Sequence, residues 1–261
     1  MTRFLAFAVF TASLVTAQAA SAATVLITGS NRGIGLEFVK QYADLGWTVI
    51  ATSRSPADDT DLQALAAAHD NVTIETLDVS DHGEIDALAD KLKGTPIDVL
   101  LNNAGILGGG PEVQTIGNID FESMAQVYKT NAIGPMKMAE AFLEHVAASE
   151  QKKIAVITSG TASLANVRPS EFFRALYLYR MSKTAINMGY RALAVELAPR
   201  GIYVGILAPG VVETRLLNQA GYGGMGMTTQ QSVTGVIRNI ENLGPDTSGE
   251  YIIYTGDTVP W

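Results

Sequence analysis

The chain has 261 residues, a formal net charge of −8 at pH 7 and no cysteine. Disulfides, thiolate metal sites and a cysteine nucleophile are thereby excluded, and the acidic balance argues against nucleic acid or an anionic membrane surface as partner. With 47% hydrophobic and only 17% charged residues, the chain suits one large α/β domain with a substantial core.

Residues 1–23 read as an export signal. Arg3 supplies a short positive region, Phe4 to Val15 an apolar run, and Ala20-Ser21-Ala22 a small-residue cleavage site. The run is short for a membrane-spanning helix. The expected location is the periplasm, with no membrane association after cleavage, an uncleaved anchor reaching Ala23 being the other outcome for this segment. A start codon assigned too early is the alternative, and would leave the protein in the cytoplasm.

Residues 24–261 form the expected folded domain. Thr24 to Thr28 is a buried strand that runs into Gly29-Ser-Asn-Arg-Gly33-Ile-Gly35 and then a helix to about Leu45. Trp47–Thr52, Val72–Leu77, Ile97–Leu101, Lys153–Thr158, Ile202–Leu207 and Tyr251–Tyr254 read as further strands. Helices are expected around Ala64–His69, up to about Lys93, over Phe121–Ser149 with a bend near Gly134-Pro135, and over Tyr179–Leu197. Strands alternating with helices give a single doubly wound, mostly parallel Rossmann-type sheet of about seven strands, covered on both faces. Two segments interrupt the rhythm: Gly160–Leu178, and Val211–Met227, which is rich in Gly and Met and reads as a mobile loop. Both belong beyond the carboxyl ends of strands, where ligands bind in such sheets.

Several residues point to chemistry. Glycines after the first strand let the backbone approach a pyrophosphate at a helix N-terminus. The second strand ends Ala51-Thr52-Ser53-Arg54 with no carboxylate before Asp58. The missing acid, with Arg54 and Arg32 as cations for a 2′-phosphate, favours NADP over NAD. Asp78, at the end of the third strand, can bind adenine or cap a turn. Tyr179 and Lys183, four residues apart, share one helical face. An ammonium beside a phenol favours the phenolate, so the tyrosine's pKa is expected to fall toward neutrality and permit proton exchange with a carbonyl or alcohol oxygen. Tyr177 lacks that spacing. Three scattered histidines (His69, His82 and His145) offer no ligand spacing for a metal.

Together the glycine loop, Asn102-Asn103-Ala104-Gly105, Asn131, Ser159, Tyr179/Lys183 and Pro209-Gly210 occur in the order found in the short-chain dehydrogenase/reductase family, which the sequence resembles from about Thr24 onward. Arg54, the run Tyr179-Arg-Met-Ser-Lys183 and the ending Val259-Pro-Trp261 are most similar to the branch of sniffer-type carbonyl reductases and the bacterial C-signal protein. The resemblance implies Tyr179 as general acid or base, and Lys183 lowering its pKa and binding the nicotinamide ribose. It implies Ser159 holding the substrate oxygen, and Asn131 fixing a helix bend and positioning a relay water. Cofactor contacts are implied for Gly29, Asn31, Arg32, Gly33, Ile34, Gly35, Arg54, Asp78, Asn103, Ala104, Gly105, Pro209, Gly210, Val212 and Thr214. The implied activity is NADP(H)-dependent interconversion of a small carbonyl compound and its alcohol by a homo-oligomer, dimer or tetramer. An exported, non-catalytic cofactor-binding or signalling protein on the same fold is the alternative. One departure is the long gap from Ser159 to Tyr179. Its added residues include Phe172, Phe173 and Tyr177, expected to wall the substrate pocket or pack on the domain.

Overall fold

The computed structural model describes residues 22–168 and 175–261. The export segment up to residue 21, and Phe172 and Phe173, lie outside them. The short apolar, β-branched runs form strands β1 (Thr24–Ile27), β2 (Thr48–Ser53), β3 (Val72–Thr76), β4 (Val99–Asn102), β5 (Lys153–Ile157), β6 (Tyr203–Ala208) and β7 (Tyr251–Ile253). They make one seven-stranded sheet in the order β3-β2-β1-β4-β5-β6-β7, with every neighbouring pair parallel. The winding reverses between β1 and β4, which makes the space beyond their carboxyl ends the switch-point crevice.

The helices are α1 (Gly33–Asp44), α2 (Thr60–Ala68), α3 (His82–Lys91), α4 (Phe121–Tyr128), α5 (Gly134–Ala141), α6 (Leu143–Ala147), α7 (Tyr177–Leu197), α8 (Arg215–Gln219) and α9 (Thr229–Glu241). Alternation along each strand sorts side chains between two layers. Val25, Val99, Ala155 and Leu207 pack with α1, α2 and α9. Leu26, Leu100, Ile154 and Ile206 pack with α3, α5, α6 and α7. The strands read as continuous apolar runs because both faces are covered.

Three departures from the expected elements have local causes. The long helix over 121–149 is divided, and its first break is a π-helical turn at Lys129–Ile133, one turn ahead of the expected bend. Pro135 has no N–H to return to the preceding turn, so the hydrogen-bond ladder shifts register before the proline rather than at it. The stretch 211–227 contains the short helix α8. Finally, α9 is not among the expected elements, although its apolar residues recur at helical spacing and Thr228 and Gln231 form a capping box at its start. Val233, Val236, Ile237 and Ile240 then bury one face against β7 and its neighbours.

Tyr190 joins three of these elements. Its hydroxyl, fully buried on α7, accepts from Asn102 Nδ2 at 2.8 Å and donates to the Pro135 carbonyl at 3.1 Å. Replacing it by phenylalanine strands both partners in the core. Tyr190→Phe is expected to lower the unfolding free energy by about 1–3 kcal/mol, read as a lower urea midpoint at unchanged slope.

Candidate active site

The carboxyl ends of the central strands open on a cleft of about 1090 Å3. On one side, Gly29 turns the chain out of β1 with φ +68°. A Cβ there would stand 2.8 Å from Ala104 Cα, and one on Gly35 only 2.0 Å from the Gly29 carbonyl oxygen. Both positions therefore require glycine. α1 starts at Gly33 with no side-chain cap from Arg32, so its first-turn N–H groups are available to an anion at the positive end of the helix. Asn103 holds the loop from below. Its N–H and that of Ala104 donate to Thr28 Oγ1 at 3.0 Å, and its Nδ2 donates to the Thr28 and Gly29 carbonyls at 2.9 and 3.0 Å.

At the end of β2, Arg54 lies 3.9 Å from Asp78 Oδ2. Asp78 also accepts from the N–H and hydroxyl of Ser80 at 2.8 and 2.7 Å, so it caps a turn and meets the arginine at once. An acid reaches this corner after all. Asp59, placed by the short turn before α2, accepts from Asn31 Nδ2 at 3.0 Å and from the Ser53 hydroxyl. It was not legible as a site residue, because it stands outside the strand end and only the fold of the turn brings it back.

Tyr179 and Lys183 lie one turn apart on the buried face of α7. Lys183 Nζ donates to the Ile157 carbonyl at 2.8 Å and stands 5.8 Å from the centre of the Tyr179 ring. Burial lowers the lysine's pKa to about 8. Tyr179 does not have the depressed pKa expected from its spacing: burial raises it to about 12, and a hydrogen bond with Ser159 only partly offsets this. The ammonium is engaged by a backbone carbonyl and sits over the ring rather than against the phenolic oxygen, so desolvation prevails. Ser159 ends β5. Its hydroxyl also shares a 2.9 Å hydrogen bond with Thr161 Oγ1, and its carbonyl accepts from the hydroxyl of Tyr251, a brace from β7 with no local sequence signal.

The cofactor-side residues named from the sequence all line this cleft, as do Ser159, Tyr179 and Lys183. Asn131 does not. It is fully buried in the π-helical turn, where its amide accepts from the Ile106 N–H at 2.8 Å and donates to the Ile106 carbonyl at 2.8 Å and to Ser182 Oγ at 3.0 Å. It fixes the helix distortion and the loop after β4 from behind the site. Tyr177 is exposed on the outer face of α7, away from the cleft. The segment expected to be a mobile loop is braced instead. Thr214 caps α8, Val212 bridges to Met227, and Glu213 accepts from the Gly224 N–H at 2.8 Å. Leu216, Ala220 and Tyr222 of this segment meet Leu107, Leu176 and Tyr179 in a small apolar cluster. No group of metal-ligating side chains occurs among the described residues.

A parallel sheet with a glycine-lined crevice at its switch point, and a serine, tyrosine and lysine converging there, defines a dinucleotide-binding oxidoreductase domain. The chain belongs to the short-chain dehydrogenase family, whose sequence pattern matches residues 23–222. It is 36% identical over 168 residues to C-signal of Myxococcus xanthus, covering 64% of this chain and 93% of that protein. Two solved structures, each spanning 92% of this chain and their whole length, agree with the expected branch. They are the NADPH-bound carbonyl reductase from chicken fatty liver, at 32% identity and a TM-score of 0.81, and the carbonyl reductase Sniffer of D. melanogaster, at 26% and 0.79.

The buried lysine has a measurable consequence. It titrates near 10.5 when unfolded and near 8 in place, so between those values the unfolded state binds more protons and stability rises with pH. Below pH 8 the penalty is fully present, about 3 kcal/mol from the gap between the two values. Lys183→Met removes the charge but keeps the length. The variant is expected to exceed the parent in urea resistance at pH 7, with the difference closing between pH 8 and 10.5; Tyr179 is common to both and cancels.

Proposed function

We propose that this protein is an NADP(H)-dependent oxidoreductase that interconverts a carbonyl compound and its alcohol. The observation that carries this reading is the convergence of Ser159, Tyr179 and Lys183 at one end of a cleft whose other end is built for a dinucleotide. The residues fit that cofactor: the uncapped start of α1 suits the pyrophosphate, and Arg54 with Arg32 supplies cations for a 2′-phosphate. When bound, the nicotinamide supplies hydride to the carbonyl carbon or accepts it from the alcohol.

The remaining chemistry belongs to the side chains. With a pKa near 12, the Tyr179 phenol is protonated at neutral pH and is the form that gives its proton to a carbonyl oxygen gaining charge. The Ser159 hydroxyl, already paired with the phenol, donates to the same oxygen and holds it in place. Lys183 places positive charge beside the ring and so stabilises the phenolate as it forms. In the reverse direction the phenolate takes the alcohol proton. The cluster of Leu107, Leu176, Leu216 and Ala220 beside Tyr179 suits a substrate with an apolar body.

A non-catalytic role is not favoured. Lys183 weakens the fold at neutral pH, and such a charge is hard to account for where no chemistry uses it. We also propose homo-oligomeric assembly through the outer face of α7. Tyr177, Met181, Met188 and Val195 stand exposed there, and light scattering of the purified protein tests it. Export to the periplasm is a further proposal, supported by the family match starting only at residue 23 and β1 at Thr24. Fractionation with N-terminal sequencing of the mature protein decides it.

Tyr179→Phe is expected to reduce turnover of aldehydes and ketones at least 100-fold while NADPH affinity stays within about twofold. A variant that keeps turnover removes Tyr179 as the acid. In fluorescence titrations, Arg54→Ala should weaken NADPH about tenfold or more and leave NADH nearly unchanged, since a charge-assisted phosphate contact is worth about 1.5–3 kcal/mol. Asp59→Asn should shift the preference the other way, tightening NADPH relative to NADH by removing an anion beside the 2′-phosphate.

A further inference from the structure

α7 carries Tyr179 and Lys183, yet its N-cap residue makes no side-chain cap. The residue before its first turn, Leu176, is left-handed with φ 57° and offers no side-chain acceptor, and Ala175 before it has φ 62°. N-cap residues such as serine or aspartate usually satisfy the first-turn donors of a helix. Here the acceptor comes from 65 residues upstream. Gln114 Oε1 accepts from the Tyr179 backbone N–H at 3.2 Å, the third helical position, where a capping side chain normally bonds.

Gln114 is fully buried, and its amide has a partner on each side. Nε2 donates to the carbonyls of Leu107 at 3.0 Å and Gly109 at 2.8 Å. Only this orientation satisfies all three contacts, because the flipped amide would set oxygen against two carbonyls and NH2 against an N–H. The loop is shaped around it: Gly109 has φ +103°, and a Cβ there would stand 2.3 Å from Val113 Cγ2. Leu107, the first of the two acceptors, packs in the same apolar cluster as Tyr179 and Leu176. The side chain thus ties the backbone of the catalytic tyrosine to the wall of the cleft facing it.

We propose that Gln114 is a positioning residue for the proton transfer. By capping α7 at Tyr179, it sets the height and rotation of the phenol against the substrate oxygen, while the 107–109 loop is held at a matching distance. This rests on Tyr179 being the acid, as argued above. It acts through Tyr179 and touches neither the glycine loop nor Arg54, so cofactor binding is not its task. A displacement of the order of 1 Å at a reacting group is enough to lower rate about 100-fold.

Two variants test it in the full-length protein. Gln114→Leu keeps the volume and removes the hydrogen bonds. Expected are a kcat lowered roughly 10- to 100-fold, NADPH affinity within twofold of the parent, and faster deuterium exchange of the Tyr179 amide. Gln114→Glu keeps the acceptor and, while its acid is neutral, one donor. Ionised, it faces the Leu107 and Gly109 carbonyls, which oppose its charge. Its kcat should therefore approach the parent's at low pH and fall as pH rises, a limb absent from the parent profile, which a merely structural role would not produce. A kcat within twofold of the parent in Gln114→Leu overturns the proposal, and so does loss of NADPH affinity along with kcat. Should the parent turn over no carbonyl compound, the oxidoreductase reading fails, and the exchange rate at Tyr179 alone decides the cap: faster in Gln114→Leu supports it, unchanged overturns it.

Discussion

The hydrogen bonds between Thr28 and Asn103 hold together the two strand ends on which everything else in the site depends. At the switch point β1 and β4 lie side by side while the chain leaves them toward opposite faces of the sheet. Thr28 Oγ1 collects two backbone N–H groups from the β4 end, and the Asn103 amide returns donors to the Thr28 and Gly29 carbonyls. The crevice is thereby floored with satisfied backbone instead of exposed polar groups that would need water. Glycine at 29 and 35 is required by this closeness, because the two turns pack within contact of one another. A dinucleotide can lie along backbone here only because no side chain intervenes.

The catalytic side follows the opposite logic. Burial acts against the charged form of Lys183, so at neutral pH the site is held in place against local stability. What opposes that tendency is the surrounding frame. The π-helical turn presses Asn131 against Ile106 and Ser182, Tyr190 ties α7 to β4 and α5, and Tyr251 holds the Ser159 carbonyl from β7. None of these side chains reacts. Each removes a freedom that would let the hydroxyls and the ammonium drift apart.

Much of this was legible in the chain. Strand runs were short, apolar and β-branched, helices between them were periodic, and the glycine loop and the four-residue spacing of Tyr179 and Lys183 are local features that backbone geometry converts directly into a turn and a shared face. What was not legible depended on distant partners. The helix α9 is the exception, since Val233, Val236, Ile237 and Ile240 recur at helical spacing behind a capping box and so gave a local signal. The 211–227 segment, glycine-rich and expected to move, is braced by a bridge and by the Glu213 carboxylate. Asp59 and Gln114 are ordinary loop residues until the fold brings their side chains to the ends of β2 and α7.

The sequence by itself therefore determined the winding of the sheet, the place of the crevice and which side chains gather in it, because these rest on patterns a few residues long. Tertiary structure alone decided the electrostatics and the alignment. Whether a lysine four residues away lowers a tyrosine's pKa depends on how deeply both are buried and on what else holds the ammonium. Here burial raises the phenol to about 12, and the Ile157 carbonyl holds the lysine. Desolvation is a property of the assembled core, and no spacing along the chain encodes it.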